Sequence, residues 1–199
     1  MAYEETGRVD QKRRTREALV SAARDIVARG HTPTVEAAAE AAVVSRTTAY
    51  RYFPNQRQLL AAAHPETAAM SLLPQDPPDD PAARLDAVMR AFTDTVADTE
   101  QQQRTMLRLS LEPHPDALPL RQGRAIGWIA EALEPLSGEL EEDSLRALVL
   151  AIRSATGIEA LVWLTDVAGL STPEALTLMR WSAQALLASA RAGPPPGIS

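Results

Sequence analysis

No stretch of this chain alternates apolar and polar residues convincingly with period two, whereas apolar residues recur at helical spacing along most of it. A half-buried strand needs that alternation, and an amphipathic helix needs apolar positions three and four apart. Alanine and leucine are abundant, and aromatic residues make up only 4% of the chain. The pattern predicts an all-α protein. With 199 residues there is enough chain for one large or two small domains with a real core.

Helix boundaries follow from caps and breakers. A first helix is expected over about residues 11–29, where Leu19, Ala23, Ile26 and Val27 form an apolar stripe and Gly30 a stop. "HTPTVEAAAEAA" opens a second, with Thr34 as N-cap, Glu36 suited to the first turn, and Val35, Ala38, Ala39 and Ala42 facing inward. Ser45 caps a third that ends near Phe53-Pro54. Asn55 caps a fourth, with Gln58 placed to reach back to it and Pro65 as its breaker. "HPETAAMSLLPQDPPDDP" then bends the chain before Asp80-Pro81 starts a new helix. Further helices are expected at about 81–99, 101–111, 119–134, 144–168 and 172–192.

Charge divides the chain unevenly. Residues 1–60 carry ten arginines and lysines against seven acids, a balance of +3; the remainder carries ten against nineteen, a balance of −9. A positive head on an acidic body suggests a local polyanion site. The second and third helices, joined by a tight turn, have the form of a helix-turn-helix. Val44, Ala49 and Phe53 fall on the inner side of the third helix, which leaves Arg46, Thr47, Tyr50 and Arg51 outside. Arginine can pair bidentately with guanine, threonine offers a hydroxyl and a methyl, and tyrosine hydroxyls reach phosphates.

The long amphipathic helix ending "AARDIVARG", then "TVEAAAEAAVVSRTTAYRYF", then "PNQRQLL", resembles the DNA-binding domain of the TetR (tetracycline repressor) family of bacterial transcriptional regulators. "GIEALVWLTDVAGLSTPEALTLMRWSAQALL" is similar to the last two helices of many members. The resemblance implies an N-terminal arm and three-helix DNA-binding domain over residues 1–54. A larger helical ligand-binding and dimerisation domain would occupy 55–199. It implies a cytoplasmic homodimer on a palindromic operator in double-stranded DNA, acting as a repressor released by an unidentified small-molecule effector. By matching positions, Arg46, Thr47, Thr48, Tyr50 and Arg51 are base-region contacts, with Ser45 at their cap. Thr34, Tyr52 and Gln56 are phosphate contacts, although Tyr52 equally suits packing against the first helix. Two departures stand out. Val43 occupies a turn position where many members have glycine, and Gln56 one where lysine usually grips a phosphate. Arg8, Lys12, Arg13 and Arg14 suit an arm along the DNA backbone or minor groove.

The helices at 144–168 and 172–192 are apolar on more than one face, which fits a four-helix dimer interface or a central buried hairpin. Phe92, Met106, Leu109, Trp128 and Trp163 suit either an apolar ligand cavity or plain core. Glu159 and Arg153 can orient a polar ligand group or pair with each other. Other classes find less support. There is no cysteine, and His31, His64 and His114 lie far apart, so neither a metal site nor a cofactor is expected. No phosphate loop, serine elbow or H-E-x-x-H helix occurs. A signal-type apolar segment is missing from the N-terminus, and Arg146, Arg153, Glu159 and Asp166 interrupt the most apolar stretch, against a membrane span. The alternative to a regulator is an all-α interaction or enzyme scaffold whose helix-turn-helix is incidental.

Overall fold

The computed structural model of the protein describes residues 2–63, 69–111 and 123–197, with side chains from Val9 onward. Among these residues every regular element is helical, as the sequence pattern predicts. The break at Pro65, His64, His114, the Arg8 side chain and the start of the helix expected at 119 lie outside the described residues. Contacts gather into two units. The described residues of Met1–Thr67 and Gln101–Gln122 form one, those of Ala68–Glu100 and Gly123–Ser199 the other.

The first unit contains α1 (Ala2–Ala28), α2 (Val35–Ala41), α3 (Arg46–Tyr52), α4 (Gln56–Ala63) and nearly all of α6 (Glu100–Leu111). It therefore extends past the boundary expected after residue 54. The reason is apolar continuity: Leu59 and Ala63 of α4 join Leu19, Ala23, Ala38 and Phe53 in one core, while Leu60 packs with Val27, Met106 and Leu109 in a second cluster. α1 is helical from Ala2 rather than from Gln11, because no proline interrupts residues 2–10 and a single glycine costs only about 1 kcal/mol there. Lys12, Arg13 and Arg14 lie on its exposed surface, with Arg13 between Asp10 at 3.5 Å and Glu17 at 3.3 Å.

Two helix ends in this unit use the same device. After α1, Gly30 N–H reaches Val27 C=O (2.8 Å) and His31 N–H reaches Ile26 C=O (3.2 Å), with Gly30 at φ 81°. After α2, Val43 N–H reaches Glu40 C=O (3.1 Å) and Val44 N–H reaches Ala39 C=O (2.8 Å), with Val43 at φ 54°. Both are Schellman motifs, whose left-handed residue is ordinarily glycine. The second places a β-branched side chain in that seat, among the described residues the one non-glycine with positive φ. Val44 and Ala39 supply the apolar contact that accompanies the motif, both lying in the first core.

The second unit contains α5 (Pro81–Asp98), α7 (Arg124–Ala132), a 3-10 turn (Glu134–Gly138), α8 (Glu142–Ala155), α9 (Ile158–Val162) with a π-helical turn behind it (Trp163–Val167), and α10 (Thr172–Ala192). Asp80 caps α5 by accepting from Ala83 N–H at 2.9 Å, ahead of Pro81 in the first turn. Leu85, Val88, Met89, Phe92 and Val96 then form its buried stripe. Ser171 and Glu174 close a capping box on α10, whose inner side is the narrow row Ala175, Met179, Ala183, Leu187 and Ala190.

The helix expected over 144–168 is corrected to two. Thr156, fully buried, turns its hydroxyl back to Ile152 C=O (2.7 Å) and leaves helical geometry. Gly157 follows with extended backbone, and a Cβ on it would lie 2.2 Å from Arg153 Nη1. That glycine leaves room for the Arg153 guanidinium, which pairs with Glu159 at 3.2 Å and lies 5.8 Å from the Phe92 ring centroid. By length and composition the stretch Glu142–Val167 could cross a membrane. Its longest regular part, the 14 residues of α8, spans only about 21 Å against about 30 Å of bilayer hydrocarbon.

Candidate nucleic-acid interface

α3 is short, and its position is set by its ends. Ser45 accepts from Thr48 N–H at 3.2 Å and donates its hydroxyl to Thr48 Oγ1 at 2.8 Å. Ala49 and Phe53 are buried and Val44 half-buried on the core side, which turns Arg46, Thr47, Tyr50 and Arg51 outward, all exposed. The side predicted to face DNA is thus the side that the core leaves free. Thr48 is half-buried under the cap. Arg16 of α1 stacks over Phe53 at 5.4 Å, holding the end of α3 against α1.

The three phosphate candidates are placed differently from one another. Thr34 is exposed and caps α2, accepting from Ala37 N–H at 3.1 Å. Tyr52 is half-buried against the first core, the packing alternative. Gln56 is half-buried and donates through Nε2 to Pro33 C=O at 2.7 Å. It joins the start of α4 to the entrance of α2. Beside it, the buried Nε of Arg57 has no partner.

Glu36 was not singled out as a site residue by the sequence, and it lies at the centre of this surface. Its Oε1 accepts from Arg46 Nη2 and from the Tyr50 hydroxyl, each at 2.5 Å. The Tyr50 hydrogen bond, then the residue's own backbone N–H, the Thr34 hydroxyl and the Arg46 charge, lower the carboxyl to about 2, against a smaller opposing effect of burial. The same contacts raise Tyr50, chiefly through its bond to Glu36, and Arg46, chiefly through the Glu36 charge. The only sequence signal was an acid on the outward side of α2. Which side chains it meets depends on how α2 and α3 cross.

The six residues expected at a ligand pocket are divided between the two units. Met106 and Leu109 are buried in the first unit with Val27 and Leu60. Phe92 and Trp128 are buried in the second, edge to face with centroids 6.1 Å apart. Trp128 also borders a recess of about 340 Å³ with Met70, Arg124 and Glu131. Glu159 and Trp163 border another of about 360 Å³, with Leu164, Leu178 and Met179. Of the residues lining this second recess Trp163 and Leu178 are exposed, as are Val167 and Trp181 on the same two elements. Among the described residues no group of three or more His, Cys, Asp or Glu side chains could hold a metal ion.

Described residues whose regular elements are all helical, with a helix-turn-helix in the first unit and a second helical unit interleaved with it in sequence, define a class of architecture. The particular likeness is to a TetR transcriptional regulator from Rhodococcus sp. RHA1, a solved structure with a TM-score of 0.58 and 19% sequence identity. The match covers 89% of this chain and 98% of that one. The fold is therefore that of a TetR regulator. No family model matches the chain, and no curated protein does.

Proposed function

We propose that this protein is a cytoplasmic transcriptional regulator, not an enzyme, that binds a palindromic operator in duplex DNA as a homodimer. The observation that carries the reading is the outward set Arg46, Thr47, Tyr50 and Arg51, on a helix anchored by Ala49 and Phe53. These are groups that read base edges and phosphates, carried within the first 60 residues, whose charge balance is positive. Dimerisation would use α8 to α10, where Trp163, Val167, Leu178 and Trp181 leave large apolar side chains in water. Regulation would be repression relieved by a small molecule in the second unit. Glu159 and Trp163 at one recess, and Trp128 at the other, are its nearest candidates.

The test is to incubate the purified protein with fragmented genomic DNA and sequence what is retained. The reading expects an enriched palindrome whose half-sites lie about one helical turn, roughly 34–36 Å, apart. Arg46→Ala or Arg51→Ala should then cost about 1–3 kcal/mol on that site and relax preference at one position of each half-site. Retention without any common sequence would overturn it.

A further inference from the structure

One carboxylate oxygen holds two of the outward side chains of α3: Glu36 Oε1 takes both Arg46 Nη2 and the Tyr50 hydroxyl at 2.5 Å. Glu36 is itself only 34% exposed, whereas the Arg46 side chain is 71% exposed. The acid is thus the more buried partner and the arginine the more exposed one. A free, exposed arginine would be drawn to any phosphate. Tethered here, its charge is compensated, while its remaining N–H donors stay available for a base edge. Tyr50 is changed in a complementary way. Its one hydrogen is committed to Glu36, so its oxygen can only accept. A phosphate offers no hydrogen to accept, whereas the amino groups of adenine and cytosine do.

We propose that Glu36 is a specificity-determining positioning residue, which turns Arg46 and Tyr50 from phosphate binders into base readers. The inference rests on the DNA-binding reading above and deepens it. The carboxylate subtracts sequence-independent Coulomb attraction, by cancelling the Arg46 charge and by repelling nearby phosphates. What is left of the two side chains is directional hydrogen bonding, which depends on the base.

The experiment uses the full chain, a random-sequence duplex pool for selection and heteropolymeric duplex DNA for non-specific binding, titrated over a range of salt. Glu36→Gln keeps an acceptor oxygen and removes the charge. It should bind heteropolymeric DNA more tightly, with a log–log salt slope steeper by about 0.9 per protomer. Its ratio of selected-site to non-specific affinity should fall about tenfold, within what one bidentate base contact discriminates. Glu36→Asp keeps the charge but is one methylene shorter. It should weaken the same consensus position with the slope unchanged. In an Arg46→Ala, Tyr50→Phe background, Glu36→Gln should leave the selected consensus as it was. An unchanged ratio and slope for Glu36→Gln, or an equal loss on both DNAs with a lowered melting temperature, would overturn the proposal and leave Glu36 a structural link. Failure of the wild-type chain to bind any duplex would overturn the DNA-binding reading and this inference together.

Discussion

Val43→Gly should make the protein more stable, although it removes a branched side chain. Val43 sits at φ 54° with 93% of its surface exposed, so the side chain contributes almost no packing that could be lost. The left-handed conformation costs an L-residue about 1–2 kcal/mol, towards the upper end for a β-branched one. Glycine removes that cost and returns about 0.5–1 kcal/mol through the greater freedom of its unfolded chain. The balance is a stabilisation of about 1 kcal/mol, because the two Schellman hydrogen bonds at 3.1 and 2.8 Å stay in place. Urea unfolding followed by circular dichroism should show a higher midpoint at unchanged slope, and the melting temperature should rise by about 2–4 °C if the whole chain unfolds together. The chain contains its own control: Gly30 occupies the same seat after α1. Gly30→Val should lower stability by at least as much as Val43→Gly raises it. A Val43→Gly protein that is no more stable, or is less so, would show that residue 43 is not left-handed in solution, and the account of the turn would be wrong.

Three further outcomes are expected. Trp181→Glu, on the exposed apolar face of α10, should convert a dimer into a monomer at micromolar concentration in analytical ultracentrifugation, with helix content unchanged; a persistent dimer would move the interface elsewhere. Acid should loosen the link between α2 and α3: the Glu36 carboxyl is depressed to about 2, so its contribution is fully present above pH 4.5 and is lost as pH falls from there towards 2. The acid-unfolding curves of wild type and Glu36→Gln should accordingly converge across that window, and a constant gap down to pH 2 would contradict the assignment. Gln56→Lys should tighten specific and non-specific DNA binding alike and steepen the salt slope by about 0.9 per protomer; an unchanged slope would mean that residue 56 serves only its bond to Pro33.

The helical framework was legible because it is written in local signals. Asp80-Pro81 and the Ser171–Glu174 box mark helix starts whose hydrogen bonds close within four residues, and both helices begin where these signals put them. The stretch 144–168 was not legible in the same way. Its apolar spacing continues smoothly across Thr156-Gly157, and neither residue forbids a helix. The break is made by side-chain contacts that apolar spacing does not report: a buried threonine turned onto Ile152, and an arginine, paired with Glu159 and close to the Phe92 ring, that takes up the space a Cβ at 157 would need. The π-helical turn that follows, with Ala168 N–H on Trp163 C=O at 3.0 Å, closes at the left-handed Gly169 and has no periodic signature of its own.

The candidate interface divides along the same physical line. Arg46, Thr47, Tyr50 and Arg51 could be assigned to the outside of α3 because the inward positions of one short helix determine the rest, and Ala49 and Phe53 are indeed buried. Periodicity gives the face of a helix and nothing about what stands opposite that face. Glu36 lies ten residues from Arg46 and fourteen from Tyr50, across a turn whose angle depends on a valine held in a conformation that its type disfavours. A turn with a different residue 43 could keep every inward position of α2 and α3 and still move the carboxylate away from both donors. The geometry proposed for base reading therefore depends on the strained turn as much as on the exposed side chains. For that reason the Val43→Gly protein should be tested on DNA as well as in urea: a gain in stability accompanied by weaker sequence selection would show that the strain holds Glu36 on Arg46 and Tyr50. A gain with selection intact would show that the Schellman hydrogen bonds alone fix the crossing of the two helices.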